Sequence, residues 1–341
     1  MADEAKIFDP GLRVWKTTGS LTIGDRLGHF LARWGVNRYD RRVAPGLYAL
    51  GRPNGDSPVF VSANYKLSFD ALRSSLHGMD CYILVLDTKG INVWCAAGKG
   101  TFGTAELIYR IQETGLGSTV NHRTLILPQL SAPGVAAHEV QRCTGFSVEF
   151  GPIRSSDIKA YLKTGRAAPE MRRVRFTLRD RLVLIPMELV QALVPMLAAA
   201  IVLLLLGGFL AAAVAVAATL AGVVLFPILL PWLPTPNFST KGLVLGLVVS
   251  APFVALIVIG HPGAPQWQRA GWALSCALAM TSVTAFLALN FTGSTTFTSR
   301  SGVKREIFRY VPVMAWMFVG GVALAVGLAV LDALGWSSGA G

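Results

Sequence analysis

From Leu182 to the C-terminus the chain runs for 160 residues with six Lys or Arg and three Asp or Glu. A water-exposed domain of that size does not stay soluble with so few charges, so this half has to fold in lipid. Apolar segments at 184–206, 209–233, 242–260, 270–290 and 310–333 each approach the roughly twenty residues that a helix needs to cross a hydrocarbon core. An all-α transmembrane domain of five helices is expected over 184–333, followed by a short tail at 334–341. Gly207 and Gly208 mark either a very tight hairpin between the first two spans or a kink in one long element.

The loops orient these spans. Arg172, Arg173, Arg175, Arg179 and Arg181 precede the first, Lys241 opens the third, and Arg300, Lys304, Arg305 and Arg309 precede the fifth, whereas the alternate loops carry only Arg269. The positive-inside rule then places the N-terminal half on the cytoplasmic side of the inner membrane and the C-terminal tail outside. The net charge of +12 reads as membrane topology and attraction to an anionic leaflet, with lipid as the partner. No basic patch interleaved with aromatic residues points to nucleic acid. The N-terminus shows no basic segment followed by an apolar run, so no cleaved signal peptide is expected. Within the spans, small-residue stretches such as "AAAVAVAATLAG" permit close helix packing, and Gln191, Ser275, Thr281 and Asn290 read as helix-to-helix hydrogen-bonding groups. A transporter would show intramembrane ionisable groups or paired interrupted helices. Neither is found in the sequence, and Glu188 lies close enough to the surface to be solvated.

The first 181 residues hold 25 Lys or Arg and 16 Asp or Glu, as a soluble domain would. Strand signals at 59–64, 81–88, 122–128 and 146–151 alternate with "LSFDALRSSLHG", "TFGTAELIYRIQETG", "GVAAHEVQRCTG" and "RSSDIKAYLKTG", each a helix ended by Gly. Strands with little polar alternation predict a small, mostly parallel sheet with helices on both faces, a Rossmann-like α/β domain over 1–165 joined by a basic linker, 166–183, to the membrane. Ligands of such sheets bind beyond the carboxyl ends of the strands, so 64–66, 91–103, 129–134 and 151–156 are expected to line one site.

The stretch "INVWCAAGKG" (91–100) lies at one of those ends. It is not a phosphate-binding loop: Val93 stands where that motif needs Gly, Trp94 and Cys95 fill the space of the backbone amides, and Gly100 follows Lys99 where Ser or Thr should. Cys95 instead follows an extended run and precedes small residues suited to a short helix lying against something flat. Free backbone N–H groups and Lys99 are a setting that favours anionic sulfur, and a thiolate facing a planar surface is a candidate axial ligand to a macrocyclic metal. Cys81, Cys143 and Cys276 read as buried structural thiols in a strand, a helix and a span. No pair has zinc-ligand spacing and no four-Cys run could hold an iron–sulfur cluster. His122 and His138 read as surface or local hydrogen-bonding residues.

"NVWCAAGK" (92–99), with "VSANYKLSFDALR", "LVLDTKGINVWCAAGKGTFGT", "NHRTLILPQLSAPGV" and "GFSVEFGPIRSSDIKAYL", resembles the mercury methylation corrinoid proteins (HgcA family), membrane-bound relatives of the large subunit of the corrinoid iron–sulfur protein. The resemblance implies a base-off cobamide, a cobalamin-like corrinoid whose cobalt takes Cys95 as lower axial ligand, and an enzyme that transfers a methyl group from cobalt to Hg(II) under anaerobic conditions. An electron-rich thiolate would help the cobalt–carbon bond break with the electrons leaving on carbon. The implied partners are a ferredoxin-like protein with two 4Fe–4S clusters (HgcB-like) as reductant and a methyl-donor protein or methyltetrahydrofolate.

On this reading Asn92, Val93 and Trp94 position Cys95, and Ala96 and Ala97 keep the helix thin against the corrin. Gly98, Lys99, Gly100, Thr101 and Gly103 complete a turn that holds corrin amides or the nucleotide tail. Tyr65, Lys66, Ala132, Gly134, Gly151 and Pro152 join the cofactor site through strand-end geometry together with the resemblance. Two alternatives stand beside it: a corrinoid methyl carrier serving an acetyl-CoA-synthesis-type or other non-mercury acceptor, and a membrane scaffold or transporter with a degenerate soluble domain.

Overall fold

In the computed structural model, residues 14–38, 40–295, 298 and 300–334 are described. The chain divides into two compact units, Met1–Arg175 and Phe176–Gly341. Among the described residues the first holds six strands, β1 (Val14–Thr17), β2 (Gly46–Leu50), β3 (Val59–Ala63), β4 (Cys81–Leu86), β5 (Thr124–Leu127) and β6 (Ser147–Phe150). Its helices are α1 (Ile23–Arg33), α2 (Lys66–Ser75), α3 (Val93–Lys99), α4 (Thr104–Glu113), α5 (Leu116–Thr119), α6 (Ala137–Thr144) and α7 (Ile158–Thr164).

The sheet order is β1-β2-β4-β3-β5-β6. β3 pairs in parallel with β4 (Val59 opposite Tyr82, Ala63 opposite Leu86) and with β5 (Val59 opposite Leu125), and β5 with β6. These four strands form the parallel core expected from the sequence. The pair β1 and β2 was not expected: β2 lies antiparallel on β4, Gly46 opposite Val85, which makes the sheet mixed. After β3 the chain steps to one side for β4 and then to the other for β5 and β6, so the winding reverses at the carboxyl end of β3. Crevices at such reversals are where open α/β sheets bind ligands.

Period-two patterning covers both faces. Val59, Val61, Leu84 and Leu86 point into a core closed by Phe102, Leu107, Ile111 and Val140, while Phe60, Ile83 and Val85 point into a second core with Phe69, Leu72, Leu76 and Ile158. The first face is therefore covered by α3, α4 and α6, the second by α2 and α7. Leu107 and Ile111 lie four residues apart, as one stripe of a helix must.

α1 is tied to α2 by buried charge. Asp70 is fully buried and Arg73 nearly so. Arg73 Nε donates to Asp70 Oδ1 at 2.6 Å and Nη2 to Asp25 Oδ2 at 2.9 Å, while Nη1 reaches the carbonyl oxygens of Thr18 and Ser20. Lys66 Nζ stands 2.9 Å from Asp25 Oδ1 and 3.3 Å from Asp70 Oδ2, and His29 Nε2 lies 2.7 Å from Asp70 Oδ2. Burial pushes the Asp25 and Asp70 carboxyls up, but hydrogen bonds from Lys66 and the Thr22 backbone at Asp25, and from His29 and Arg73 at Asp70, more than offset it. Both end below the ordinary value of 3.8. A carboxylate whose folded pKa lies below its unfolded one adds stability above the unfolded value and loses it as pH falls through the folded one. The soluble unit is expected to hold its melting temperature down to about pH 4 and to lose it steeply below, with Asp25→Asn flattening that slope. Calorimetry of the full chain in detergent between pH 3 and 7 checks this, and an unchanged slope in the variant would refute it.

The second unit is helical: α8 (Leu178–Leu182), α9 (Ile185–Leu220), a π-turn at Ala221–Leu225, α10 (Phe226–Leu229), α11 (Phe238–Gly260), α12 (Gln266–Asn290) and α13 (Arg300–Ala333). Four helical runs among the described residues are long and apolar enough to span a membrane: Leu178–Leu229, Phe238–Gly260, Gln266–Ser294 and Ser301–Ala333. The chain is thus a multi-pass membrane protein. The first run has 52 residues, which as one straight helix would reach about 78 Å, over twice a hydrocarbon core. It is broken at Gly208, with φ 75° and ψ −169°, a conformation open only to glycine. A Cβ built on Gly207 would stand 2.9 Å from that of Ala211, so the chain turns sharply here.

α11 and α12 approach through small residues. A Cβ on Gly242 would lie 2.6 Å from Ala285 Cα, and one on Gly246 2.7 Å from Thr281 Cα. This small-xxx-small spacing is how helices pack closely where no hydrophobic effect drives them together. Ser275 Oγ donates to the Gly321 carbonyl at 2.7 Å, as a helix-to-helix bond. Gln191 and Asn290 are exposed in the protein, and Thr281 Oγ is buried with no partner among the described residues, so these three do not make the interhelical bonds expected of them. Glu188 also departs from expectation: it is half-buried and receives a hydrogen bond from Ser294. Glu306 accepts from the backbone N–H groups of Phe238 and Ser239 at 3.3 and 2.9 Å, capping the N-terminus of α11.

Candidate functional site

Three loops converge at the carboxyl ends of β3, β4 and β5. Asn64, 2% exposed, directly follows β3 and organises the loop after β4. Its Oδ1 accepts from the backbone N–H of Thr88 (3.1 Å) and of Gly90 (3.0 Å) and lies 2.9 Å from Thr88 Oγ1. Its Nδ2 donates to Asp87 Oδ1 at 3.0 Å, and that oxygen also accepts from the Lys89 N–H at 3.0 Å. The contact holds Lys89 at φ 57°, followed by Gly90 at φ 72°. Two successive left-handed residues turn the chain at once from β4 into α3.

α3 is short and defined at both ends. Asn92 Oδ1 accepts from the Cys95 N–H at 2.9 Å, the N-cap its residue type favours. Gly100, at φ 81°, is the left-handed C-cap. Ala96 and Ala97 are buried and belong to the core beneath, and Val93 packs partly against it. The helix rests on the turn Gln129–Gly134: a Cβ on Gly134 would overlap the Phe102 carbonyl oxygen and stand 3.0 Å from Ala97 Cα. This corrects the role expected of the two alanines. Their size fits the helix to the domain rather than to an outer ligand.

The outward side carries Cys95, half-buried, with Trp94 half-buried and Gly98 and Lys99 exposed. A Cβ built on Gly98 would meet no atom within 4 Å. Among the described residues no hydrogen bond engages Cys95 Sγ. The site is thus a sulfur beside a gap where a side chain is missing, one helical turn away, on a rigidly seated helix.

Of the other expected residues, Gly103 and Gly134 pack beneath this helix, Thr101 N–H donates to the Ala96 carbonyl at 3.0 Å, and Ala132 is half-buried in the adjoining turn. Tyr65 is buried, with the Arg38 guanidinium 5.8 Å from its ring centre, and Lys66 is turned into the charge cluster around Asp70. Gly151 and Pro152 are buried. These four were expected to join the cofactor site; the structure packs Tyr65, Gly151 and Pro152 and half-buries Lys66. Just before Gly151 in the chain, Glu149 and Phe150 line a cavity of about 700 Å³ together with Tyr161, Arg166, Arg172 and Arg173, among others. It borders the edge strand and does not include Cys95. Burial and the hydrogen bond to Glu149 push the Tyr161 hydroxyl up to about 12.

Cys81 and Cys276 are buried as expected, with burial and the Asp80 charge raising Cys81 to about 12, but Cys143 is exposed on the polar side of α6. His122 accepts locally from the Thr124 N–H and also meets the Ser57 carbonyl, 65 residues earlier, at 2.9 Å. The residues the sequence did not single out are Asp87, Thr88 and, among the loops named as a whole, Asn64. An Asn directly after a buried strand, opposite an Asp-Thr-x-Gly turn, was the available signal.

Residues 37–162, which include every loop at this end of the sheet, match the family described as CO dehydrogenase/acetyl-CoA synthase delta subunit. The chain is also similar to subunit gamma of the acetyl-CoA decarbonylase/synthase complex. It is 36% identical to that of Archaeoglobus fulgidus over 124 residues, 36% of this chain and 26% of the relative. It is 32% identical to that of Methanothermobacter thermautotrophicus over 154 residues, 45% and 32%, and 34% identical to gamma 1 of Methanosarcina thermophila over 125 residues, 36% and 26%. The chain spans less than a third of the length of these relatives. Its soluble unit is related to them. The matches correct the expectation of an Hg(II) methyltransferase: family and relatives alike are subunits of an acetyl-CoA system, which favours the methyl-carrier alternative.

Proposed function

We propose that this protein is a corrinoid methyl carrier of the acetyl-CoA-synthesis type, held at the membrane by its second unit. The observation that carries the reading is that the matched segment, 37–162, contains the whole seated helix with its outward sulfur. The residues fit a flat macrocycle, since Gly98 leaves the space beside Cys95 open on the outer side of α3. Cys95 would hold the cobalt through its soft sulfur. Asn92 fixes that residue by its cap bond, and Trp94 flanks it. The cofactor supplies a cobalt centre that takes up and gives away a methyl group. The protein's part would be to bind the ring and to hold the sulfur of Cys95 in place on the seated helix. The four cysteines of the chain, at 81, 95, 143 and 276, do not cluster, so a separate ferredoxin-like protein with two 4Fe–4S clusters is the reductant in this reading. A methyl-donor protein or methyltetrahydrofolate loads the carrier.

The full chain purified without oxygen is expected to carry cobalt and a corrinoid absorption spectrum, and Cys95→Ala is expected to change that spectrum while the protein still folds. Protein without cobalt rejects the carrier reading; a spectrum untouched by Cys95→Ala rejects Cys95 as ligand.

Orientation belongs to the same proposal. If the break at Gly208 divides the first apolar run into two crossings, the chain crosses five times, with the corrinoid domain cytoplasmic and the tail outside. Reporter fusions after residue 180 and within 292–308 should then read cytoplasmic, and one at the C-terminus external. A cytoplasmic C-terminus would mean four crossings.

A further inference from the structure

A helix on the surface of a soluble domain normally turns its apolar side inward. α1 does the reverse. Its inner side is Asp25, Gly28, His29 and Ala32, with Asp25 bonded to Arg73 and Lys66, and His29 to Asp70. This polar side cannot be the solvent face, because Asp25 and the partners Asp70 and Arg73 are buried. The outer side is then Ile23, Leu27, Phe30 and Trp34, spaced as one stripe and exposed at 86%, 56%, 57% and 37%. Phe30 and Trp34 lie with ring centres 6.2 Å apart. Along this stripe the exposed charges of the helix are Arg26 and Arg33, while its one acid, Asp25, is turned inward.

A stripe of large apolar and aromatic groups flanked by arginines has the composition of helices that lie in the headgroup layer of an anionic bilayer. This chain carries its own membrane spans, so a bilayer is always present at high effective concentration. We propose that α1 is an interfacial helix: Ile23, Leu27, Phe30 and Trp34 enter the acyl boundary and Arg26 and Arg33 meet lipid phosphates. The charge cluster around Asp70 makes the anchoring rigid, since it fixes the inner side of α1 to α2. The soluble domain thereby gains a second attachment to the surface besides its covalent one. This inference is independent of the corrinoid reading.

The test uses the full chain in nanodiscs of mixed phosphatidylglycerol and phosphatidylcholine, with a photoreactive benzophenone side chain in place of Phe30 and, as control, in place of Tyr109, which is 54% exposed on α4. Irradiation is expected to give a phospholipid adduct at position 30 and none at 109. An adduct to a protein peptide, from the same chain or a second copy, overturns the proposal, as does a lipid adduct of equal yield at both positions. Arg26→Gln with Arg33→Gln should lower the adduct yield selectively in the anionic nanodiscs. Equal yields in anionic and purely zwitterionic lipid, before and after that change, would also overturn it. Hydrogen exchange of 35–165 in each variant shows that the domain is folded.

Discussion

Asp70→Ala is expected to cost the soluble unit about 3–5 kcal/mol, because removing one partner of a buried ion pair leaves the other charge uncompensated. Arg73 is 2% exposed and gives Nε to Asp70 at 2.6 Å. Without that carboxylate it keeps Asp25, but Lys66 and Arg73 then share one acid in place of two, and His29 loses the carboxylate that its Nε2 meets at 2.7 Å. For a unit of this size the loss corresponds to a fall in melting temperature on the order of 10 °C. The volume-preserving pair Asp70→Leu with Arg73→Met should regain a large part of it, since a well-packed apolar pair often replaces a buried ion pair without loss. Calorimetry of both variants in detergent decides the matter. A single variant within a degree of the wild type would show that the cluster is not a stabilising joint, and a double variant worse than the single would show that geometry, not uncompensated charge, is the cause.

The sequence was readable where one physical demand dominated. The apolar spans, the buried parallel strands and the Gly-ended helices follow from hydropathy, from lack of polar alternation and from backbone freedom, all of which are local. Asn92 was expected only to position Cys95; that it does so as an N-cap, accepting from the Cys95 N–H, is visible in the structure alone. The rest of what was not readable depends on distant partners. β2 (GLYAL) looks like any short apolar run until β4 offers it an antiparallel edge. Ala96 and Ala97 are small in either of two roles, and only the approach of Gly134 from 37 residues downstream, where a Cβ would stand 3.0 Å from Ala97 Cα, shows which one operates. Lys66 looked like a strand-end ligand because it follows β3, yet its charge is taken up by Asp25, 41 positions earlier. The resemblance of the 92–99 stretch carried the reading to a reaction. The family that matches 37–162 and the similar relatives belong to an acetyl-CoA system instead, as expected where a fold is shared more widely than the last step of the chemistry.

The seat of α3 and its outer side can be separated by two substitutions one helical turn and one contact apart. Gly134→Val places a branched side chain where even a Cβ overlaps the Phe102 carbonyl oxygen and presses on Ala97 Cα and O, at 3.0 and 3.1 Å. These neighbours are backbone and cannot swing away, so the whole helix has to lift or the turn has to open, at the roughly 1–3 kcal/mol typical of overpacking. If most of that falls on the seated position of the helix, cobalt content should drop about tenfold, the equivalent of 1.4 kcal/mol, together with a lower melting temperature. Gly98→Leu is the contrasting case. A Cβ there meets nothing within 4 Å, and leucine favours helix over glycine, so the domain should be unchanged or slightly more stable. If the corrin lies on this side, the added side chain stands in its place and cobalt content falls with no loss of stability. Cobalt analysis beside calorimetry reads both quantities on the same preparations. Full cobalt occupancy in Gly98→Leu would show that the ring lies elsewhere, and full occupancy with unchanged melting in Gly134→Val would show that α3 is not seated as the structure has it.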